Sequence, residues 1–437
     1  MDDRYGYDPQ RARDTDDNSN PRERYSSREN RRVSAPGKTN IHIGSVDITL
    51  YLVVVILVLI GVVMVFSASY IMAANRVAFN NDAFYFLRRN GIFAILGFVI
   101  MNLLANVSYE YIRPFVFLIF FIAIGLLIAV MFIGVMSGGA VRWLPFPVIG
   151  RFQPSEVAKA ALIFMIAYLV EQYPNALRTW KGLFIYAGIV AAMAGLVLYG
   201  GFSSALIVAT IGFGMIFIAS PHFWRFILAG GGLFAAVAGF LWWDNVFGGG
   251  FRGARVSVWR EPFSDPTGMG FQIIQSLFAV ASGGWFGEGI GQSRQASFIP
   301  EPHNDIIFAI IVEELGFIGA GMVLLLFGIF IWRGIIIALR ARDTFSSMIA
   351  IGIVFAVAFQ TVINVAVVTN TIPNTGVTLP FISYGGTSLI VSMALAGILL
   401  NISRYTKDRP TEAAVPRSAR SKPRFGRGRS NRPVDSY

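Results

Sequence analysis

ITLYLVVVILVLIGVVMVF, residues 48–66, decides the fold. A helix needs about 20 apolar residues to cross the roughly 30 Å hydrocarbon core of a bilayer, and this run supplies them without a charge. Similar runs lie near 48–74, 84–106, 111–136, 156–172, 182–199, 202–219, 223–243, 306–332, 346–370 and 379–402. Of 437 residues, 55% are hydrophobic and 14% charged. The pattern predicts an all-α polytopic membrane protein of about ten transmembrane helices.

The net charge of +11 does not point to nucleic acid, because nine of the 36 Lys and Arg precede residue 47 and ten follow residue 403. The basicity belongs mostly to the tails. Residues 1–46 and 405–437 read as disordered polar tails flanking a membrane domain at 47–404. The first 46 residues lack the apolar core of a cleavable signal peptide. Cysteine is absent and the three histidines are scattered, so neither a disulfide nor a zinc-type cluster can be built.

An even number of spans puts both tails on one side of the membrane. The basic RYTKDRP (404–410) directly after the last span argues that this side is the cytoplasm. Arg178, Lys181, Arg333, Arg340 and Arg342 then fall inside as expected. Arg88, Arg89, Arg142 and Arg151 fall at the outer edge, which makes them candidates for function. The stretch from about 244 to 305, between helices 7 and 8, becomes a large extracytoplasmic loop. Connections of that length tend to be functional. Within it FQIIQSLFAVAS (271–282) is apolar but too short to span, and reads as a re-entrant or interfacial helix.

FIPEPHNDIIFAIIVEELGFIGA (298–320) sets four carboxylates in or beside a span. Pro300 and Pro302 forbid a helix through them, so Asp305 sits at the mouth of the helix that follows, as an N-cap or as a catalytic group. At 1.5 Å per residue, Glu313 and Glu314 lie about 12 to 13 Å further in, near mid-membrane. There they tie neighbouring helices together or line a proton or substrate path. RFQPSEVAKAALIF (151–164) places Glu156 and Lys159 three apart on one face, either as a mutual pair or as a hold on a polar headgroup. Arg252, Arg255, Arg260 and Arg294 share the loop with Asp305, and with Arg142 and Lys159 they compose a candidate anion site; binding of lipid headgroups is the plainer reading. TNTIPNTGVTLPFISYGGTSLI (369–390) reads as a structured turn. GGWFGEGIG (283–291) lacks the context of a nucleotide-binding loop.

Four blocks in register, RFQPSEVAK, QSLFAVASGGWFGEGIGQSRQ, FIPEPHNDIIFAIIVEELGFIGA and NTGVTLPFISYGGTSL, resemble the SEDS family (shape, elongation, division and sporulation). The resemblance spans roughly residues 45 to 405 and is greater to the division and sporulation branch than to the elongation branch. It implies a peptidoglycan glycosyltransferase of the bacterial cytoplasmic membrane. Such an enzyme polymerises lipid II at the outer face beside a class B penicillin-binding transpeptidase and other division or sporulation membrane proteins. It also implies an inverting transfer with Asp305 as the general base. Arg142, Glu156, Lys159, Arg252, Arg255, Gln275, Ser276, Glu301, Ser383 and Tyr384 become candidate substrate contacts, while Glu313 and Glu314 are read as structural. One departure stands out: members commonly carry an aspartate after the fifth span where this chain has Gly201. A metal site, with Mg or Mn as the divalent cation, is therefore left open. A lipid flippase or transporter, built around Glu313 and Glu314, and a non-catalytic scaffold for the transpeptidase are the rival readings.

Overall fold

In a computed structural model of the chain the described residues are 44–137, 140–146, 150–221, 224, 239, 257–268 and 270–405. The helices are α1 (Ile48–Asn75), α2 (Tyr85–Asn106), α3 (Val116–Ile133), α4 (Pro154–Gln172), α5 (Trp180–Gly200), α6 (Phe202–Ala219), α7 (Phe271–Ser282), α8 (Ile307–Arg340), α9 (Thr344–Val368) and α10 (Gly386–Arg404). Eight of these are long and apolar enough to cross a membrane. α4 matches them in length but carries Glu156, Lys159 and Glu171. The expected span at 223–243 and most of the tails lie outside the described residues. The short helix expected at 271–282 is α7.

The chain is mostly helical, with one departure from the all-α expectation. Between α3 and α4 a three-stranded antiparallel sheet forms from β1 (Val135–Ser137), β2 (Ala140–Phe146) and β3 (Gly150–Phe152), with Leu144 opposite Phe152. β-branched and aromatic residues in VMSGGAVRWLPFPVIGRF suit strands, but their apolar character runs on from α3 and hides the change of period.

Packing pairs α2 with α10, α8 with α9, α5 with α6, α3 with α4, and α1 with both α2 and α8. Between helices in lipid the apolar side chains gain little by leaving their surroundings, so association depends on close fit, which small residues allow. Gly397 on α10 lies against the Met101 backbone of α2, where an added Cβ would come within 2.5 Å of the Met101 carbonyl oxygen. Gly61 of α1 is pressed as tightly by the Phe381 and Ile382 backbone, so the 369–385 segment dips between the helices. Residues such as Ile95, Phe121, Phe132 and Leu325 face outward, as lipid-contacting side chains do.

One end of the bundle is held by ionic ties. Asp47 caps α1 by accepting from Leu50 N–H, pairs with Arg333 of α8, and its own N–H donates to Ser403 of α10. Arg113 pairs with Glu171, and Tyr109 donates to Asp343. The opposite end carries the sheet, α7 and the turn at Asp305.

α8 is not one straight helix. At Gly316 the backbone turns to φ 69°, ψ −178°, and the helix is interrupted. Residues 317–340 span about 36 Å on their own, enough to cross the membrane without the part before the break. Ser67, which bonds Glu314, lies 20 residues along α1 from Asp47, about 30 Å away, the full thickness of the hydrocarbon core. Glu313 and Glu314 therefore sit near the Asp305 end and not at mid-membrane. The sequence placed them too deep because it offered no reason to stop the helix at Gly316.

Candidate active site

The break in α8 leaves backbone groups without helical partners, and an apolar setting makes such groups costly. The loop after α7 satisfies them. Phe317 and Ile318 N–H donate to the carbonyls of Gly284 and Trp285 at 2.9 and 3.2 Å, while Glu288 and Gly289 N–H donate to the carbonyls of Glu313 and Glu314 at 2.9 and 3.0 Å. The carboxylates finish the splice. Glu313 accepts from Ser293 Oγ (2.5 Å) and from the N–H groups of Arg294 and Gln295, and Glu314 accepts from Ser67 Oγ, which itself accepts from Gly291 N–H at 2.9 Å. Both glutamates are structural ties in this arrangement. The segment of α8 they anchor, residues 307–315, starts directly after Asp305.

The turn before it is tightly specified. Glu301 takes the left-handed conformation at φ 55°, and its carboxylate accepts from Asn304 Nδ2 at 2.7 Å. Asn364 of α9 donates through Nδ2 to the carbonyls of both Asp305 and Val377 at 2.7 Å, pinning this turn to the 369–385 segment. Tyr384 N–H donates to the His303 carbonyl at 2.9 Å. The N-cap of α8 is Ile306, and no side chain caps the helix. The Asp305 carboxylate is thus not occupied in capping, the plain role its position suggested.

Around Asp305 lies a cavity of about 360 Å³. It is lined by four cationic side chains, Arg89 (α2), Arg142 (β2), Arg151 (β3) and Lys159 (α4), and by three carboxylates, Glu156, Glu301 and Asp305. Each element delivers its groups for a local reason. The β2–β3 pairing holds Arg142 and Arg151 over the bundle, and β3 runs through Gln153 into Pro154, whose fixed φ suits the first helical turn. Thr387 of α10 fixes that junction, accepting from Gln153 N–H at 3.3 Å. Glu156 and Lys159, one turn apart and both buried, pair at 2.8 Å. Gly150 has φ 82°, and a Cβ there would strike Arg89 Nη2, so this glycine lets the Arg89 guanidinium lie against the sheet.

Burial raises the pKa of Asp305 above the ordinary carboxylate range, a hydrogen bond from its own backbone N–H and the positive charge of Arg142 oppose the rise, and the negative charge of Glu301 adds to it. Burial likewise pushes Tyr384 up to about 12, partly offset by Arg89. A carboxylate near cations, with a raised proton affinity and not engaged in helix capping, is suited to taking a proton from a hydroxyl beside an anionic group.

Of the residues marked from sequence, the structure brings together Arg142, Glu156, Lys159, Glu301, Asp305 and Tyr384. Arg252 and Arg255 lie outside the described residues. Gln275, Ser276 and Ser383 do not line the cavity. Ser276 Oγ donates to the Val368 carbonyl and Ser383 Oγ accepts from Leu379 N–H, so both hydroxyls serve the backbone. Arg89 and Arg151 enter the site from the group of outer arginines, while Arg88 pairs with Asp82 instead. His303 also lines the cavity; no sequence signal had singled it out. Among the described residues no three carboxylate or imidazole groups converge as a metal-binding set.

The family of cell cycle proteins FtsW, RodA and SpoVE matches residues 48–408. The chain is 40% identical over 370 residues to stage V sporulation protein E of Bacillus subtilis (strain 168), covering 83% of this chain and 98% of that protein. It is 37% identical over 362 residues to a probable peptidoglycan glycosyltransferase FtsW of Geobacter sp. (strain M18), covering 82% and 96% respectively. Among solved structures it is similar to a chain of a peptidoglycan synthase complex that coordinates polymerization and crosslinking, with a TM-score of 0.68 and 29% identity over 83% of this chain and 99% of that one. It is also similar to the rod shape determining protein RodA of Thermus thermophilus, with a TM-score of 0.61 and 26% identity over 83% and 98%.

Proposed function

The chain belongs to the FtsW, RodA and SpoVE family of cell cycle proteins, and from that membership we infer that it is a peptidoglycan glycosyltransferase of the membrane. Its substrate is the lipid-linked disaccharide lipid II. The basic tails argue for cytoplasmic termini, and in that orientation the Asp305 end of the bundle faces outward, where glycan strands are made.

The observation that carries the reading is the Asp305 carboxylate, which does not cap α8, in a cavity with four cationic side chains. Asp305 takes the proton from the 4-hydroxyl of the acceptor saccharide. The freed oxygen attacks the anomeric carbon of the donor, the bond from that carbon to the pyrophosphate oxygen breaks, and undecaprenyl pyrophosphate leaves with inversion. A pyrophosphate is a good leaving group, so the need is for charge stabilisation more than for a strong acid. Arg89, Arg142, Arg151 and Lys159 are placed to supply it, acting at the oxygens where negative charge develops. Arg142 and Lys159 belong to the anion site expected from the sequence, whose Arg252 and Arg255 lie outside the described residues.

The transporter reading depended on two glutamates at mid-membrane. Their place at the Asp305 end and their full employment as acceptors remove that support. A class B penicillin-binding transpeptidase fits as partner, because a similar chain occurs in a complex that couples polymerization to crosslinking.

The test is a gel assay of glycan made from lipid II by purified wild type and Asp305→Ala, each with and without the transpeptidase. Wild type should polymerise and Asp305→Ala should not, although both bind the partner. Polymer from Asp305→Ala at the wild-type rate would discard the base; no polymer from wild type with its partner would leave the scaffold reading in its place.

A further inference from the structure

His303 lines the cavity, and neither the acid–base step nor the stabilisation of the pyrophosphate employs it. Its ring is held between Phe86 of α2, with centroids 4.2 Å apart, and Tyr384, at 5.2 Å, while Phe86 and Tyr384 meet edge to face at 5.1 Å. Its backbone carbonyl accepts from Tyr384 N–H. The ring therefore cannot swing, and its two nitrogens have distinct surroundings. Nδ1 is enclosed and has no hydrogen-bond partner. The other nitrogen, Nε2, is left to meet whatever enters the cavity that His303 lines.

A neutral imidazole carries one N–H and one lone pair. An enclosed N–H without an acceptor is costlier and rarer than an enclosed lone pair without a donor. The proton accordingly belongs on Nε2, which makes His303 a hydrogen-bond donor toward the cavity. Burial, with the positive charge of Arg76 adding to it, pushes the imidazole pKa down to about 3, so the ring is neutral at physiological pH. A neutral donor does little for a pyrophosphate, which has four cations to meet, and suits an uncharged oxygen. His303 stands two residues before Asp305 and lines the same cavity.

We propose that His303 binds the acceptor saccharide, donating from Nε2 to an uncharged oxygen of the sugar, a hydroxyl or an acetamido carbonyl. The proposal rests on the glycosyltransferase reading above and adds a saccharide contact to it. No proton is transferred at His303. Its role is to hold the sugar.

Glutamine and asparagine separate this role from ring packing. The amide nitrogen of glutamine can reach the position of Nε2, whereas that of asparagine corresponds to Nδ1. His303→Gln, His303→Asn and His303→Leu, each purified with the transpeptidase partner, are assayed for lipid II polymerisation over a range of substrate concentrations, with thermal unfolding measured in parallel. His303→Gln should stay within about threefold of wild type, while His303→Asn and His303→Leu should raise KM about tenfold with kcat little changed, as the loss of one neutral hydrogen bond to substrate predicts. Should His303→Leu fail to fold, the Gln and Asn variants alone decide. A glutamine variant as impaired as the asparagine variant at equal melting temperature overturns the proposal, as does a loss confined to kcat. Wild type that forms no glycan from lipid II overturns the enzyme reading as well, whereas active wild type with an impaired glutamine variant overturns only the role of His303.

Discussion

The Ser67 hydroxyl of α1 donates to the Glu314 carboxylate at the break in α8, 2.6 Å away and buried, and accepts from Gly291 N–H at 2.9 Å. One serine thus joins a membrane-crossing helix, the interrupted helix that begins beside Asp305, and the glycine-rich loop that patches the interruption. Ser67→Ala removes one donor to Glu314 and one acceptor of Gly291 N–H in an apolar setting, an expected loss of about 1 kcal/mol. Thermal unfolding in detergent measures it. Ser67→Thr, which keeps the hydroxyl, should recover most of the loss, and equal melting of the alanine variant and wild type would show the contact to be idle.

Gly316 and Gly287 both adopt positive φ, 69° and 79°, and a Cβ on either would come within 2.2–2.6 Å of backbone atoms of the other's segment. Backbone cannot yield as a flexible side chain can. Gly316→Ala and Gly287→Ala should each cost well over the roughly 1–2 kcal/mol of left-handed strain alone, and lower the yield of folded protein. Gly321, five residues further along α8, has nothing within 4 Å of its Cβ position. Gly321→Ala should be neutral or stabilising by about 0.5–1 kcal/mol. Comparable melting temperatures for all three variants would contradict the splice.

The spans were legible because apolar runs of membrane length leave few alternatives. The break was not, since a single glycine in EELGFIGAG is tolerated by a helix, and what stops this one is a set of partners at 284–289 that no local pattern reveals. Asp305, Glu156 and Lys159 could be read because each lies close to a helix start that prolines mark. Ser276 and Ser383 show why a motif alone does not mark a substrate contact, since a polar side chain in it can serve the backbone as readily as a substrate. The gathering of Arg89, Arg142 and Arg151 depends on α2, the sheet and the Asp305 turn meeting in space, which spacing in sequence does not encode.

The pH dependence of kcat/KM should carry the signature of Asp305. A general base works when ionised, so activity is retained above its pKa and lost as pH falls through it. Burial places that acid limb above the range of an ordinary aspartate. Glu301→Gln removes a negative charge that raises the pKa and should move the limb to lower pH. Arg142→Gln removes a positive charge that lowers it and should move the limb to higher pH. Rate profiles in overlapping buffers test the signs; shifts in the same direction, or none, would count against Asp305 as the group being titrated.

Lys159 has two roles that a double substitution can part. Removing it alone leaves Glu156 buried without its 2.8 Å partner. Lys159→Met should therefore destabilise by about 1–3 kcal/mol, less than the about 3–5 kcal/mol of a fully enclosed pair, because both side chains line a cavity. Adding Glu156→Gln removes the stranded charge and should bring the melting temperature back toward wild type. It cannot restore a cation to the site. If Lys159 stabilises the leaving pyrophosphate, the double variant should melt like wild type yet polymerise lipid II about 100-fold more slowly, on the order of a lost electrostatic contact in a transition state. Recovery of activity together with stability would make the pair a structural tie, and would leave Arg89, Arg142 and Arg151 to meet the charge of the leaving group.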